Sequence, residues 1–269
     1  MSAKNPTILA LDFDGVLCNG LVEYFQTAWR TYCQIWQPAD TVPPGHLAEN
    51  FYRLRPVIET GWEMPVLIRA LLQGKTEEEI LQGWQAIAQE VVTAEGRDPK
   101  DIADRLDKTR DNWISADLDE WLSLHEFYPG VVAKLQEVIA SPTEPIIITT
   151  KEGRFARQLL RQQGVDLPAE SIIGKESKRP KHQTLRELLA AYGEGTSIWF
   201  IEDRMKTLVS ANEQPDLVAG KMPILLFLAD WGYNTEAERS SAAENPSIQL
   251  LSLSQFSEDF SVWLGSESS

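Results

Sequence analysis

Cysteine is nearly absent: Cys18 and Cys33 are the only two among 269 residues. One pair cannot build the disulfide framework of a secreted scaffold, so a reducing, cytoplasmic setting is the expectation. Long apolar runs are absent too. Ile146–Ile148 and Ile224–Ala229 fall far short of the roughly 20 residues that cross a bilayer. Ile8–Leu11 is cut off by Asp12 and Asp14 and does not read as a secretory leader. Basic residues are in deficit: 25 Lys and Arg stand against 40 Asp and Glu, a formal net charge of -15. Such a chain repels nucleic-acid phosphates and carries no long basic stretch to offset this, so neither nucleic acid nor membrane is an expected partner. If the ligand is a small anion, positive charge or a metal ion must be concentrated in one site.

What is present reads as a globular chain, with 43% hydrophobic residues and unexceptional Gly and Pro. Thr7 to Phe13 is a short apolar run ending in a loop, the pattern of a buried strand. From about residue 20 to 125 the signals are helical. Leu21 to Trp36 is amphipathic and stops before Pro38; Thr76 to Glu79 is a capping box opening a helix to about Val92; Asp98-Pro99 caps another that ends near Ile114. After that, strands and helices alternate: strands at Pro145–Thr150, Ser171–Gly174, Ser197–Ile201 and Pro223–Leu228, an edge strand at Ile248–Leu253, and helices at Arg154–Gln163 and Lys181–Tyr192. The pattern predicts an α/β, doubly wound parallel sheet with an inserted α-helical cap. The expected boundaries are 1–17 with 126–269 for the catalytic core and 18–125 for the cap. Ligands of such sheets bind beyond the carboxyl ends of the strands, where the insertion also departs.

Asp12 and Asp14 stand just past the first strand, with Gly15 allowing close approach to a ligand. One carboxylate here can attack phosphorus, and the other can protonate the leaving group and later activate water. A calcium loop fits worse, because Val16, Leu17 and Cys18 supply no side-chain oxygen. Ile8 to Val16, four apolar residues followed by Asp12-Phe13-Asp14-Gly15, resembles the first motif of the haloacid dehalogenase (HAD) superfamily. The resemblance extends along the chain. Tyr128-Pro129-Gly130 resembles the turn before the second motif, Ile146 to Lys151 that motif itself, Lys181 to Leu185 the third, and Ile198 to Asp203 the fourth.

The resemblance implies a phosphatase of the branch with an inserted helical cap, similar to phosphoglycolate phosphatases and β-phosphoglucomutases, acting on a small phosphorylated metabolite with Mg2+. It makes Asp12 nucleophile and metal ligand. Asp14 becomes acid/base, its carbonyl also meeting the metal, and Thr149 a hydrogen-bond donor to the phosphoryl group with Thr150 beside it. Lys181 becomes the neutralising lysine, with Lys178 as the competing choice. Asp203 becomes a metal ligand, and Glu202 either a second ligand or its partner. Where many relatives carry a further Asp, this chain has Thr207. Dehalogenation is disfavoured, since a departing halide needs no acid such as Asp14. A phosphomutase with the same aspartyl chemistry is the first alternative, and a non-catalytic binding or regulatory protein the second.

Phe51 to Trp62 reads as a loop-rich stretch of the cap, with Pro56 and Gly61. Arg53 and Arg55 there are candidates to grip the substrate's far end, against intra-cap ion pairing as the alternative. Arg55 is preferred, because the following Pro56 is expected to hold its backbone extended. Trp29, Trp36, Trp62, Trp84 and Trp113 are read mainly as packing between helices, and His46, His125 and His182 are too scattered for a metal site.

Overall fold

The computed structural model describes residues 5–218 and 224–264. It divides into two compact units, one from the chain up to Asn19 together with Glu126 onward, the other Gly20–His125.

The first unit holds a parallel sheet of β1 (Ile8–Leu11), β4 (Glu144–Ile148), β5 (Ile172–Ile173), β6 (Ile198–Glu202), β7 (Leu225–Ala229) and β8 (Ile248–Leu251), in the order β5-β4-β1-β6-β7-β8. Ile8 lies in register with Glu144 on one side and Ile198 on the other, so β1 is central. The expected edge strand is β8. The expected Pro223 start of β7 lies outside the described residues. A ribbon of β2 (Cys18–Asn19) and β3 (Glu126–Phe127) pairs antiparallel at the two points where the insertion leaves and returns, which keeps Cys18 and Asn19 with the sheet.

Strand alternation gives the sheet two apolar faces. Ile8, Ala10, Ile146, Ile148, Ile198, Phe200, Leu226 and Leu228 share one buried cluster. It is covered by α9 (Lys181–Tyr192) through Leu185 and by α10 (Met205–Asn212) through Leu208. From the opposite parity, Trp199 and Phe227 stack against α13 (Leu253–Phe256) and α14 (Phe260–Trp263): Trp199 is 5.7 Å from Trp263, and Phe256 5.2 Å from it. Each such buried side chain contributes about 1.5–3 kcal/mol. The remaining helices of this unit are α7 (Val131–Ile139), α8 (Gly153–Gln162), α11 (Pro215–Val218) and α12 (Glu236–Glu244).

The second unit is helical: α1 (Leu21–Trp36), α2 (Leu47–Leu54), α3 (Glu63–Leu72), α4 (Glu77–Ala94), α5 (Pro99–Ala116) and α6 (Leu118–Ser123). Thr76 and Glu79 form the capping box of α4, and Asp98 caps α5 by accepting from Lys100 N at 2.8 Å. Glu23 of α1 is 1% exposed and is held by Arg110 at 2.8 Å, Thr27 at 2.7 Å and Trp121 at 3.0 Å. The indole N–H groups of Trp29, Trp36, Trp84 and Trp113 all find acceptors inside this unit, as packing residues should.

Phe51 to Trp62 departs from the sequence expectation. Phe51 to Leu54 completes α2, and Arg55 to Val57 form a 3-10 turn. Arg55 has φ -49 and ψ -35, helical rather than extended. Pro56 fits at the start of that turn, where proline's missing N–H costs nothing and the turn's own bonding outweighs the bias it imposes on its neighbour.

Candidate functional site

The candidate residues stand at the carboxyl ends of β1, β4 and β6. Asp12 follows β1, and its N–H donates to Ile201 O at 2.9 Å, which ties it to β6. Its Oδ1 accepts from Phe13 N at 2.7 Å. Lys181, the first residue of α9, places Nζ 2.8 Å from Asp12 Oδ1 and 2.8 Å from Glu202 Oε2. Of the two competing lysines, Lys181 therefore reaches Asp12, whereas Lys178 is exposed in a left-handed conformation with φ 52.

Glu202 and Asp203 end β6 and are 0% and 1% exposed. Glu202 Oε1 also accepts from Arg204 N at 3.1 Å. Asp203 Oδ2 accepts from Tyr233 N at 2.8 Å, and its carbonyl accepts from Asn234 Nδ2 at 3.0 Å. Oxygens of Asp12, Glu202 and Asp203 all lie within 4.8 Å of one another. Burial pushes Asp12 up to about 7 despite the opposing Lys181 ammonium, and pushes Asp203 up to about 6, aided by the charge of Asp12. Glu202 is raised for the same reason. Among the described residues three buried carboxylates thus crowd round the Lys181 ammonium, with Arg204 also acting on Asp203, an arrangement that a divalent cation would relieve. An all-oxygen donor set suits a hard cation such as Mg2+.

Asp14 turns elsewhere. Its buried Oδ1 pairs with Lys151 Nζ at 3.3 Å. Thr149 is 5% exposed and accepts from Lys151 N at 3.1 Å through its hydroxyl oxygen, which leaves the O–H to donate. Thr150 is exposed.

Gly15 is needed for a closer contact than ligand approach. With φ +88, a Cβ there would lie 2.1 Å from Asp203 Oδ2. Gly232 has the same role opposite, where a Cβ would lie 2.3 Å from Asp203 Cβ. Tyr233, Asn234 and Gly232, which orient Asp203, and Lys151, which faces Asp14, escaped the sequence reading. Their signal is present but weak: Lys151 follows β4 directly, and Gly232 follows β7 as Gly15 follows β1.

In the helical unit, Arg53 donates to Asn50 at 2.7 Å and to Glu77 at 3.1 Å, so its ion pair is made to α4. Arg55 donates to Ile58 O at 3.2 Å and lies over the Tyr24 ring at 5.0 Å.

No family model matches the sequence, and no curated protein does. Solved structures match over most of the chain. A predicted phosphatase from Clostridium acetobutylicum superposes with a TM-score of 0.57 over 94% of this chain and 97% of that one, at 14% identity. A chain described as haloacid dehalogenase-like, from Bacteroides fragilis, superposes with 0.51 over 93% and 99%, at 16% identity. The chain has the HAD-like fold. A predicted phosphoglycolate phosphatase from Haemophilus somnus shares it, with a TM-score of 0.56 over 87% and 89% at 14% identity. In this HAD-like fold the six-stranded sheet and the helical insertion are those the sequence pattern led us to expect. Among the described residues no helix is long and apolar enough to cross a membrane.

Proposed function

We propose that this chain is a Mg2+-dependent phosphatase that hydrolyses a small phosphorylated metabolite through an aspartyl phosphate on Asp12. The observation that carries the reading is the Lys181 ammonium, shared between Asp12 and Glu202 at 2.8 Å each, beside the third buried carboxylate of Asp203. One carboxylate is thereby held at a strand end, next to a cation able to accompany the charge of an incoming phosphate.

Asp12 Oδ1 is anchored by Phe13 N–H and Lys181, so attack on phosphorus falls to Oδ2. As the Asp12–phosphorus bond forms, the bond to the leaving oxygen breaks, and Asp14 delivers its proton to that oxygen. Water then attacks the same phosphorus, gives its proton to the Asp14 carboxylate, and the Asp12–phosphorus bond breaks to release phosphate. Thr149 donates to a phosphoryl oxygen, and Lys181 neutralises it. Asp12, Asp203 and the Asp14 carbonyl would hold Mg2+, which screens phosphate charge and keeps the reacting groups in line when bound. Glu202, which accepts from Lys181 Nζ and Arg204 N–H, positions Lys181 and adds its charge to the cation-binding cluster.

The test is phosphate release from p-nitrophenyl phosphate and a panel of small phosphorylated metabolites. Turnover with magnesium, its loss on chelation and its loss in Asp12→Asn are expected. Turnover that survives exhaustive chelation would overturn the reading.

A further inference from the structure

Beside Lys181 the sheet unit contains a cavity of about 500 Å³, bounded by the ends of β4 and β5 and the first turns of α9 and α10. Thr149 and Lys181, placed above beside the transferring phosphate, border it together with Thr150, whereas Asp12 is not among its lining residues. The other lining residues include Lys175, Lys178, Lys206 and Arg179, the last paired with Glu187 at 2.8 Å, and among the described residues no Asp or Glu lines the cavity. In a chain of net charge -15 this is a local inversion of sign. Thr207, standing where the HAD resemblance leads one to expect an aspartate, also lines the cavity and keeps it free of negative charge.

Two further features favour an anion. Neither α9, entered through Pro180, nor α10, entered through Arg204, has a side-chain cap, and the first residues of both helices line the cavity. Their positive dipole ends therefore add to the lysines. The floor is apolar, with Ile148 and Ile173. A volume of this order, within the roughly 300–1,000 Å³ of small-molecule sites, holds an organic body of sugar size. The arginines expected to take the far end of the substrate, Arg53 and Arg55, are meanwhile engaged with partners in the helical unit.

We propose that this cavity receives the body and the second anionic group of the substrate, and that Lys178 and Lys206 select for that group. The proposal rests on the phosphatase reading of the neighbouring site. It makes the substrate a phosphomonoester that carries another phosphate or a carboxylate on a body larger than two carbons. Specificity then resides on the sheet unit.

The experiment compares three series of equal chain length: alkyl phosphates, alkanediol bisphosphates and carboxyalkyl phosphates. kcat/KM is measured for the wild type, Lys178→Asn and Lys206→Gln. Asn tolerates the left-handed backbone at 178, so that change removes charge without a new strain. The wild type should favour a charged tail by about tenfold or more, the size expected of charge-assisted hydrogen bonds. Each substitution should erode that preference, mainly through KM, with much less effect on alkyl phosphates. The better of the two charged series identifies the second group as phosphate or carboxylate. Equal use of charged and neutral tails, or equal losses in all series, would overturn the proposal. If no ester is hydrolysed, the phosphatase reading fails, and calorimetric binding of the same bisphosphates decides the cavity alone. Weaker binding by Lys178→Asn and Lys206→Gln supports it, and unchanged binding overturns it.

Discussion

Magnesium should stabilise the protein more as pH rises. Burial raises Asp12 from 3.8 to about 7 and Asp203 from 3.8 to about 6, and raises Glu202 as well. A carboxyl whose folded pKa lies above its unfolded value contributes stability that is present in full below about pH 4 and lost as pH climbs through the folded value. For Asp12 the interval from 3.8 to about 7, at roughly 1.4 kcal/mol per pH unit, is worth about 4 kcal/mol. In chelator, the site should therefore weaken the fold between about pH 4 and 7. A cation that takes the ionised carboxylates recovers this loss, so its stabilisation is small near pH 5 and largest near pH 7.5. At roughly 2–4 °C per kcal/mol, the difference in magnesium-induced Tm shift between those limits is on the order of 10 °C. Thermal unfolding followed by circular dichroism, with magnesium and with EDTA at constant ionic strength, measures it directly. A magnesium shift that is independent of pH, or larger at pH 5, would refute the reasoning.

Gly15→Ala should cost about 2–5 kcal/mol in urea unfolding, since it combines the left-handed backbone with a Cβ 2.1 Å from Asp203 Oδ2; a loss below about 0.5 kcal/mol would show that Asp203 can move aside. Asp14→Asn should slow turnover of p-nitrophenyl phosphate by about two to four orders of magnitude while substrate still binds, with unchanged kcat the contrary result. Glu23→Ala takes from the partly covered Arg110 its buried carboxylate partner and should destabilise the helical unit by about 3 kcal/mol, read as a lower midpoint of urea unfolding followed by circular dichroism, with an unchanged midpoint the contrary result.

The sheet was legible because its strands are apolar on both faces and alternate with amphipathic helices; β1, β4, β6 and β8 each begin within two residues of the expected positions. α1 was legible to its ends, since Pro38 and the apolar period mark it. The turn at Arg55 was misread because Pro56 and Gly61 drew attention from Leu47, Phe51 and Leu54, whose spacing marks the buried face of α2. At the site, Asp12, Asp14, Glu202 and Asp203 stood out as acids at strand ends. The start of α9 at Lys181, with Lys178 in a left-handed turn ahead of it, separates the two lysines, which sequence alone left in competition. Tyr233 acts through its backbone N–H and Asn234 through an amide, and neither function leaves a mark in residue type. Gly15 carried a signal whose meaning needed the fold: the space it leaves is filled by Asp203.

In the proposed mechanism Asp12 carries the phosphoryl group. Acid quenching of the magnesium-loaded protein during turnover of p-nitrophenyl phosphate, followed by peptide mass spectrometry, tests it most directly. The account predicts one added phosphoryl group on the peptide containing Asp12, accumulating further in Asp14→Asn because hydrolysis of the intermediate slows, and absent in Asp12→Asn. Steady phosphate release with no phosphoryl group on that peptide in either the wild type or Asp14→Asn would contradict it.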